Sequence, residues 1–142
     1  KTGDFPYWTA KEFSNVLALN PQMVVVQLGT NDTKPQNWSQ NDYEKSYQAL
    51  IDTLKTLDSH PQIFLCKPVP VYEDKWGIND SVLMTGVIPA VQRLAQNNQL
   101  TIIDLNTPLA DYGRYFPDGI HPDEQGLKMM AELVAEALRK EK

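Results

Sequence analysis

The sequence predicts an α/β domain in which a parallel sheet is covered by helices on both faces. Three observations lead there. Residues 23–28, 62–66 and 100–105 are short apolar runs of strand length. The longer segments around them, 9–19, 42–57, 80–97 and 123–140, carry helical periodicity. The two kinds alternate along the chain, as β-α-β units require.

Taken in order, the first helical segment ends at Asn20-Pro21, where the proline disfavours helical backbone before it. The run Met23-Val24-Val25-Val26-Gln27-Leu28 is too continuous for a half-exposed strand, so burial on both faces is expected. It stops at Gly29-Thr30-Asn31-Asp32, small and polar residues that cannot extend a buried strand. In the second helical segment Tyr43, Tyr47, Leu50, Ile51 and Leu54 recur at spacings of three and four and form one apolar stripe. Ser59-His60-Pro61 separates it from the second strand, and Pro68-Val69-Pro70 forces an extended exit from that strand. The strands release loops 29–41, 67–79 and 106–122 at their carboxyl ends, the edge where open α/β sheets bind ligands.

Composition narrows the function classes. The 142 residues fit a single domain spanning 1–142. Net charge is −5 with acids and bases interspersed, so no basic stripe is present to neutralise nucleic-acid phosphates. No apolar stretch approaches the roughly 20 residues of a membrane span. Nucleic acid and membrane are therefore not expected partners. The single cysteine, Cys66, lies within Ile63-Phe64-Leu65-Cys66 and reads as a small buried residue; it excludes an internal disulfide.

Only two histidines are available for chemistry. His60 sits in a Ser-His-Pro turn at the amino-terminal edge of a strand and reads as a solvated turn residue. His121 follows the last strand in Phe116-Pro117-Asp118-Gly119-Ile120-His121. A carboxylate three residues before an imidazole, with a glycine permitting a tight turn, can accept the Nδ1 proton and leave Nε2 facing outward as a base. Alternatively, Asp118 and Asp123 cap backbone amides at a helix entry. Asn31 has a similar duality: its amide can donate to a developing oxyanion, or Gly29 to Asp32 is simply a turn.

Together and in this order, Gly-x-Asn-Asp after a buried strand and Asp-x-x-His before the last helix resemble the SGNH hydrolases, the GDSL-type esterases and lipases. The stretches LGTNDTKPQNW, KWGINDSV and FPDGIHPDEQGLKMMAELV are similar to its carbohydrate acetylesterase branch. The resemblance implies a three-layer α/β/α sandwich whose strands follow the flavodoxin-like order 2-1-3-4-5. It makes Asp118 and His121 the orienting acid and the base. It places the oxyanion hole at Asn31 and Gly29, and has Asp32 brace the loop. It implies an acylated carbohydrate or other small ester as substrate, no metal or organic cofactor, and a secreted or periplasmic location. Trp8, Trp38 and Trp76 offer flat faces to a sugar ring or pack at the rim, and Trp38 and Trp76 follow the first two strands to the active edge.

Two family blocks have no counterpart: the Gly-Asp-Ser nucleophile after the first strand, and the oxyanion glycine after the second. Gly3-Asp4 is followed by Phe5. Ser14, Ser46 and Ser59 lie in or at the end of helical segments, Ser39 reads as a helix-entry residue, and Ser81 or its neighbours Asn79 and Asp80 as a cap. The expectation is a carboxyl-terminal portion of the domain, with first strands and serine on an upstream segment. The run 23–28 would then be the third strand, its bare edge covered by that segment or by a second copy. On that expectation this chain by itself is inactive, and a non-catalytic carbohydrate-binding module on the same scaffold is the alternative.

Overall fold

The structure, a computed structural model, describes Asp4 and residues 6–140. Three strands, β1 (Met23–Val26), β2 (Gln62–Lys67) and β3 (Thr101–Asp104), form one parallel sheet in the order β1-β2-β3. Register runs from Met23 opposite Gln62 to Val26 opposite Leu65, and from Phe64 opposite Thr101 to Lys67 opposite Asp104. Alternation along β2 sorts the core into two layers. Ile63 and Leu65 face a cluster with Phe13, Tyr47, Ile51, Leu83 and Val91. Phe64 and Cys66 face the other, with Ile103, Leu105, Met130 and Leu133. Helices α1 (Lys11–Leu19), α2 (Gln40–Lys55) and α4 (Ile88–Asn98) supply the first cluster, and α5 (Glu124–Lys140) the second.

The predicted elements are present, with shifts that have physical causes. Helix α2 begins earlier than expected, because Ser39 is its cap and its hydroxyl accepts the Asp42 N–H at 3.4 Å. The segment expected as one helix over 80–97 is a short α3 (Asp80–Val82), a π-helical stretch (Leu83–Val87) and α4. Pro89 at the second position of α4 has no N–H to give to the preceding turn, and a wide turn accommodates that loss. The π stretch presents Gly86 to the ring of Trp38 and Val87 to Gly29.

The first strand departs from the expectation of burial on both faces. Val26 is buried, but Met23 is 44% and Val25 38% exposed. Among the described residues β1 is hydrogen-bonded on one side only, by β2. An apolar trough of about 260 Å³ runs along it, lined by Tyr7, Phe13, Val16, Leu50 and Leu54 together with β1 itself. Cys66 and His60 sit as the sequence indicated. Burial pushes the Cys66 thiol up to about 11, and His60 is an exposed turn residue at φ 47°. No helix among the described residues is long and apolar enough to cross a membrane.

Candidate active site

The carboxyl ends of all three strands converge on the loops that hold the predicted site. The last of these makes a tight turn at Gly119, whose φ of 81° is readily adopted only by glycine. An added Cβ there would lie 2.5 Å from Glu73 Cβ and 3.0 Å from the Glu73 nitrogen, so close packing demands glycine as well. The turn folds Asp118 back on the chain that follows it. Its Oδ1 accepts the N–H groups of Ile120 at 2.9 Å and His121 at 2.7 Å, and its Oδ2 stands 2.7 Å from His121 Nδ1.

The two sequence readings of Asp118 are thus both realised. It caps backbone amides and orients the imidazole with the same carboxylate. The His121 backbone N–H, then its ring, then the Ile120 N–H hold the Asp118 carboxyl well below the usual carboxylate range. As an acceptor only, it fixes the proton of a neutral His121 on Nδ1 and leaves the Nε2 lone pair outward. Asp123 is a separate helix cap, accepting the Gly126 N–H at 2.9 Å.

Gly29, Asn31, Asp32 and His121 line one cleft of about 420 Å³. Gly29 has φ 133°, and a Cβ there would meet Val87 at 2.5 Å and the Tyr43 hydroxyl at 2.8 Å. Its carbonyl accepts the Asp32 N–H at 3.0 Å, closing the turn that carries Asn31. Asn31 is exposed and lines the cleft, its carbonyl accepting Asn37 Nδ2 at 3.1 Å. Burial pushes the Asp32 carboxyl up.

The side chain that ties this loop down belongs to a residue not singled out by motif, Thr33. It is 1% exposed, donates its hydroxyl to the Thr30 carbonyl at 2.7 Å and accepts the Asn79 N–H at 3.0 Å. The loop of Asn31 and the loop Gly77-Ile78-Asn79-Asp80 meet through this bond. Asn79 in turn caps α3, its Oδ1 accepting the Val82 N–H at 2.8 Å, so Asn79 rather than Ser81 performs the capping.

The loop between β2 and α3 therefore touches both the loop of Asn31 and the loop of His121. At one end Thr33 holds Asn79; at the other the Tyr72 N–H donates to the Gly119 carbonyl at 2.8 Å, and Lys75 Nζ approaches the Asp118 carbonyl at 3.4 Å. Between them Trp76 stands beside His121, its ring centroid 5.9 Å from that of the imidazole. Its φ of 53° is left-handed, which costs a non-glycine residue about 1–2 kcal/mol. Trp38 is placed differently. Partly buried, it packs on Gly86 and lies 5.7 Å from the Tyr43 ring. Trp8 packs edge-on against Phe13 at 5.0 Å.

Among the serines, Ser39 caps α2, Ser59 donates to the Pro21 carbonyl at 2.7 Å, and Ser14, Ser46 and Ser81 lie within helices. The expectation placed on Gly3-Asp4-Phe5 falls partly outside the described residues, because Gly3 and Phe5 are not among them.

Comparison with known proteins bears on family and fold. The GDSL-like Lipase/Acylhydrolase family matches residues 3–129. Over 96% of its length the chain is 37% identical to an acetylxylan esterase of Xylanibacter ruminicola, and it spans 32% of that relative. The fold superposes on the acetyl xylan esterase AlAXEase with a TM-score of 0.73 and 23% identity, covering 87% of this chain and 70% of that one. It superposes on a GDSL-like lipase from Bacteroides thetaiotaomicron with a TM-score of 0.75 and 21% identity, covering 92% and 69%. With residues 3–129 matched by its model and a parallel α/β fold that superposes on its members, the chain belongs to the GDSL-like lipase/acylhydrolase family, the SGNH hydrolases.

Proposed function

We propose that this chain supplies the base, the orienting acid and the oxyanion donor of a serine carboxylic ester hydrolase that removes small acyl groups, acetyl foremost, from carbohydrate. The observation that carries it is the 2.7 Å pairing of His121 Nδ1 with an ionised Asp118, on a cleft shared with Asn31. In this mechanism a serine hydroxyl attacks the acyl carbon while His121 Nε2 takes its proton. The carbonyl oxygen gains negative charge and receives the Asn31 amide, on the loop shaped by Gly29. The intermediate then expels the sugar hydroxyl, which leaves with the proton from Nε2. Water repeats the sequence on the acyl-serine: His121 takes its proton, the acid departs and the proton returns to the serine. Asp118 stays ionised throughout and stabilises the imidazolium.

The nucleophile belongs, on this reading, to a serine-bearing strand that adds to β1. Its unpaired edge, the exposed Met23 and Val25 and the apolar trough alongside support such an addition. A parallel strand there would end beside Gly29, at the edge where the chemistry sits. The choice of an acetylated carbohydrate is supported by the acetylxylan esterase relative, of which this chain spans 32%.

The experiment is to assay the full-length gene product with 4-nitrophenyl acetate and locate the label left by a fluorophosphonate. Hydrolysis together with a labelled serine outside residues 1–142 is expected, and the 142-residue chain alone should be inert. Binding of xylo-oligosaccharide with neither hydrolysis nor labelling would replace the enzyme by a carbohydrate-binding module.

A further inference from the structure

We propose that Trp76 is the platform on which the sugar carrying the ester stacks, so that the site prefers carbohydrate esters to simple ones. This rests on the esterase reading of His121. Of the three tryptophans, Trp38 packs on Gly86 and Tyr43 and Trp8 packs on Phe13 in the wall of the cleft, whereas Trp76 stands at the rim beside His121, 62% exposed and in neither core cluster. Packing therefore does not account for a large apolar side chain at this position.

Its backbone makes the placement more telling. Trp76 at φ 53° is followed by Gly77 at φ 82°, two successive left-handed residues, and a bulky side chain is disfavoured at the first. The surrounding bonds hold the loop in that shape. Asp74 accepts the Asp80 N–H at 2.8 Å and Asn79 Nδ2 at 2.9 Å, while Tyr72 and Asn79 are tied to Gly119 and Thr33. The result is an open indole held 5.9 Å from the His121 ring and inclined to it by 41°.

The ligand chemistry follows from the indole. Its broad apolar face matches the C–H face of a pyranose, whose hydroxyl and ester oxygens project from the rim. A sugar seated there would present a rim ester toward His121, one ring's breadth away. A small alkyl ester such as ethyl acetate has no ring to lay on the indole and gains nothing from that face. Trp76 is then a specificity-determining residue that acts through substrate position.

Two variants of the full-length gene product separate this from a structural role. Asparagine tolerates left-handed backbone, so Trp76→Asn removes the indole without added strain, and Trp76→Tyr keeps a flat ring. The readout is the ratio of kcat/KM for acetylated xylo-oligosaccharide to that for ethyl acetate, both followed by release of acetic acid. Trp76→Asn should lower this ratio about tenfold or more, the loss expected of a central aromatic anchor, with no fall in Tm, and Trp76→Tyr should restore most of it. A ratio within about twofold of wild type in Trp76→Asn would overturn the proposal. Should the wild type hydrolyse neither ester, the esterase reading fails separately. Binding of unacetylated xylohexaose by calorimetry then decides: the same tenfold weakening upholds the platform, and unchanged affinity removes it.

Discussion

Gly119 separates Asp118 from His121, and replacing it tests whether the turn geometry holds the pair together. Gly119→Ala places a residue with a Cβ at φ 81°, costing about 1–2 kcal/mol for left-handed backbone. The new Cβ would also meet Glu73 Cβ at 2.5 Å and its backbone nitrogen at 3.0 Å, where relief requires main-chain movement. Overpacking of this kind adds about 1–3 kcal/mol. Gly77→Ala is the matched control. Its φ is 82°, yet its nearest neighbours lie at 3.7 Å, ordinary contact, so only the backbone cost applies. The unfolded-chain gain from glycine to alanine is common to both and cancels. Gly119→Ala should therefore be the less stable by about 1–3 kcal/mol, which at ordinary urea sensitivities separates the midpoints by roughly 1 M. Urea titration of the two variants of the full-length gene product, followed by circular dichroism, measures the difference. Coincident midpoints would refute the claim that Glu73 backs the turn.

Other expectations follow from the same contacts. Thr33→Val removes a hydroxyl that serves two partners and leaves the Asn79 N–H unpaired, so a loss of about 1–3 kcal/mol should appear in thermal unfolding, with a lower kcat as Asn31 loosens. Burial raises the Asp104 carboxyl, but the Lys67 ammonium and the hydrogen bonds from Thr107 and Asn106 more than offset it and hold it below its ordinary value. Because the folded pKa is the lower one, the unfolded chain binds more protons in that window. The contribution is complete above about pH 4–5 and is lost as pH falls through the folded value, so Asp104→Asn should flatten the acid limb of a stability-pH profile. Asp32 has the opposite sign: burial raises its carboxyl, so ionisation costs stability as pH rises past its unfolded value. Asp32→Asn should raise the thermal midpoint at pH 7 relative to wild type, measured side by side with the same pair at pH 3.

Local pattern made most of the scaffold legible. The β-branched run ending at Gly29 and the tyrosine stripe of α2 each followed from spacing, because side-chain periodicity is set by the element itself. What pattern did not carry was whatever depends on neighbours distant in sequence. β1 read as buried on both faces because composition reports hydrophobicity rather than the presence of a pairing strand, and in the structure Met23 and Val25 are exposed. The π-helical stretch before Pro89 was invisible because a helix interrupted at one turn keeps its overall apolar face. The lock between Thr33 and Asn79 joins residues 46 apart, and nothing local distinguishes that threonine from any loop hydroxyl. Trp38 and Trp76 looked equivalent in sequence, each following a strand to the same edge. Gly86, which lets Trp38 approach the π-helical turn, and the neighbouring Tyr43 ring separate a packed ring from an open one. The Asp118 and His121 pair was legible because three residues with a glycine between them is itself a turn specification.

The most direct measurement is kcat/KM for 4-nitrophenyl acetate in the full-length gene product, compared among wild type, His121→Ala and Asn31→Ala. Loss of the base should cost on the order of 10⁴-fold or more. Loss of one oxyanion donor should cost about 10²–10³-fold in kcat and leave measurable turnover. A His121→Ala enzyme retaining activity within a few-fold of wild type would contradict the assignment of the Asp118 and His121 pair as the catalytic acid-base unit.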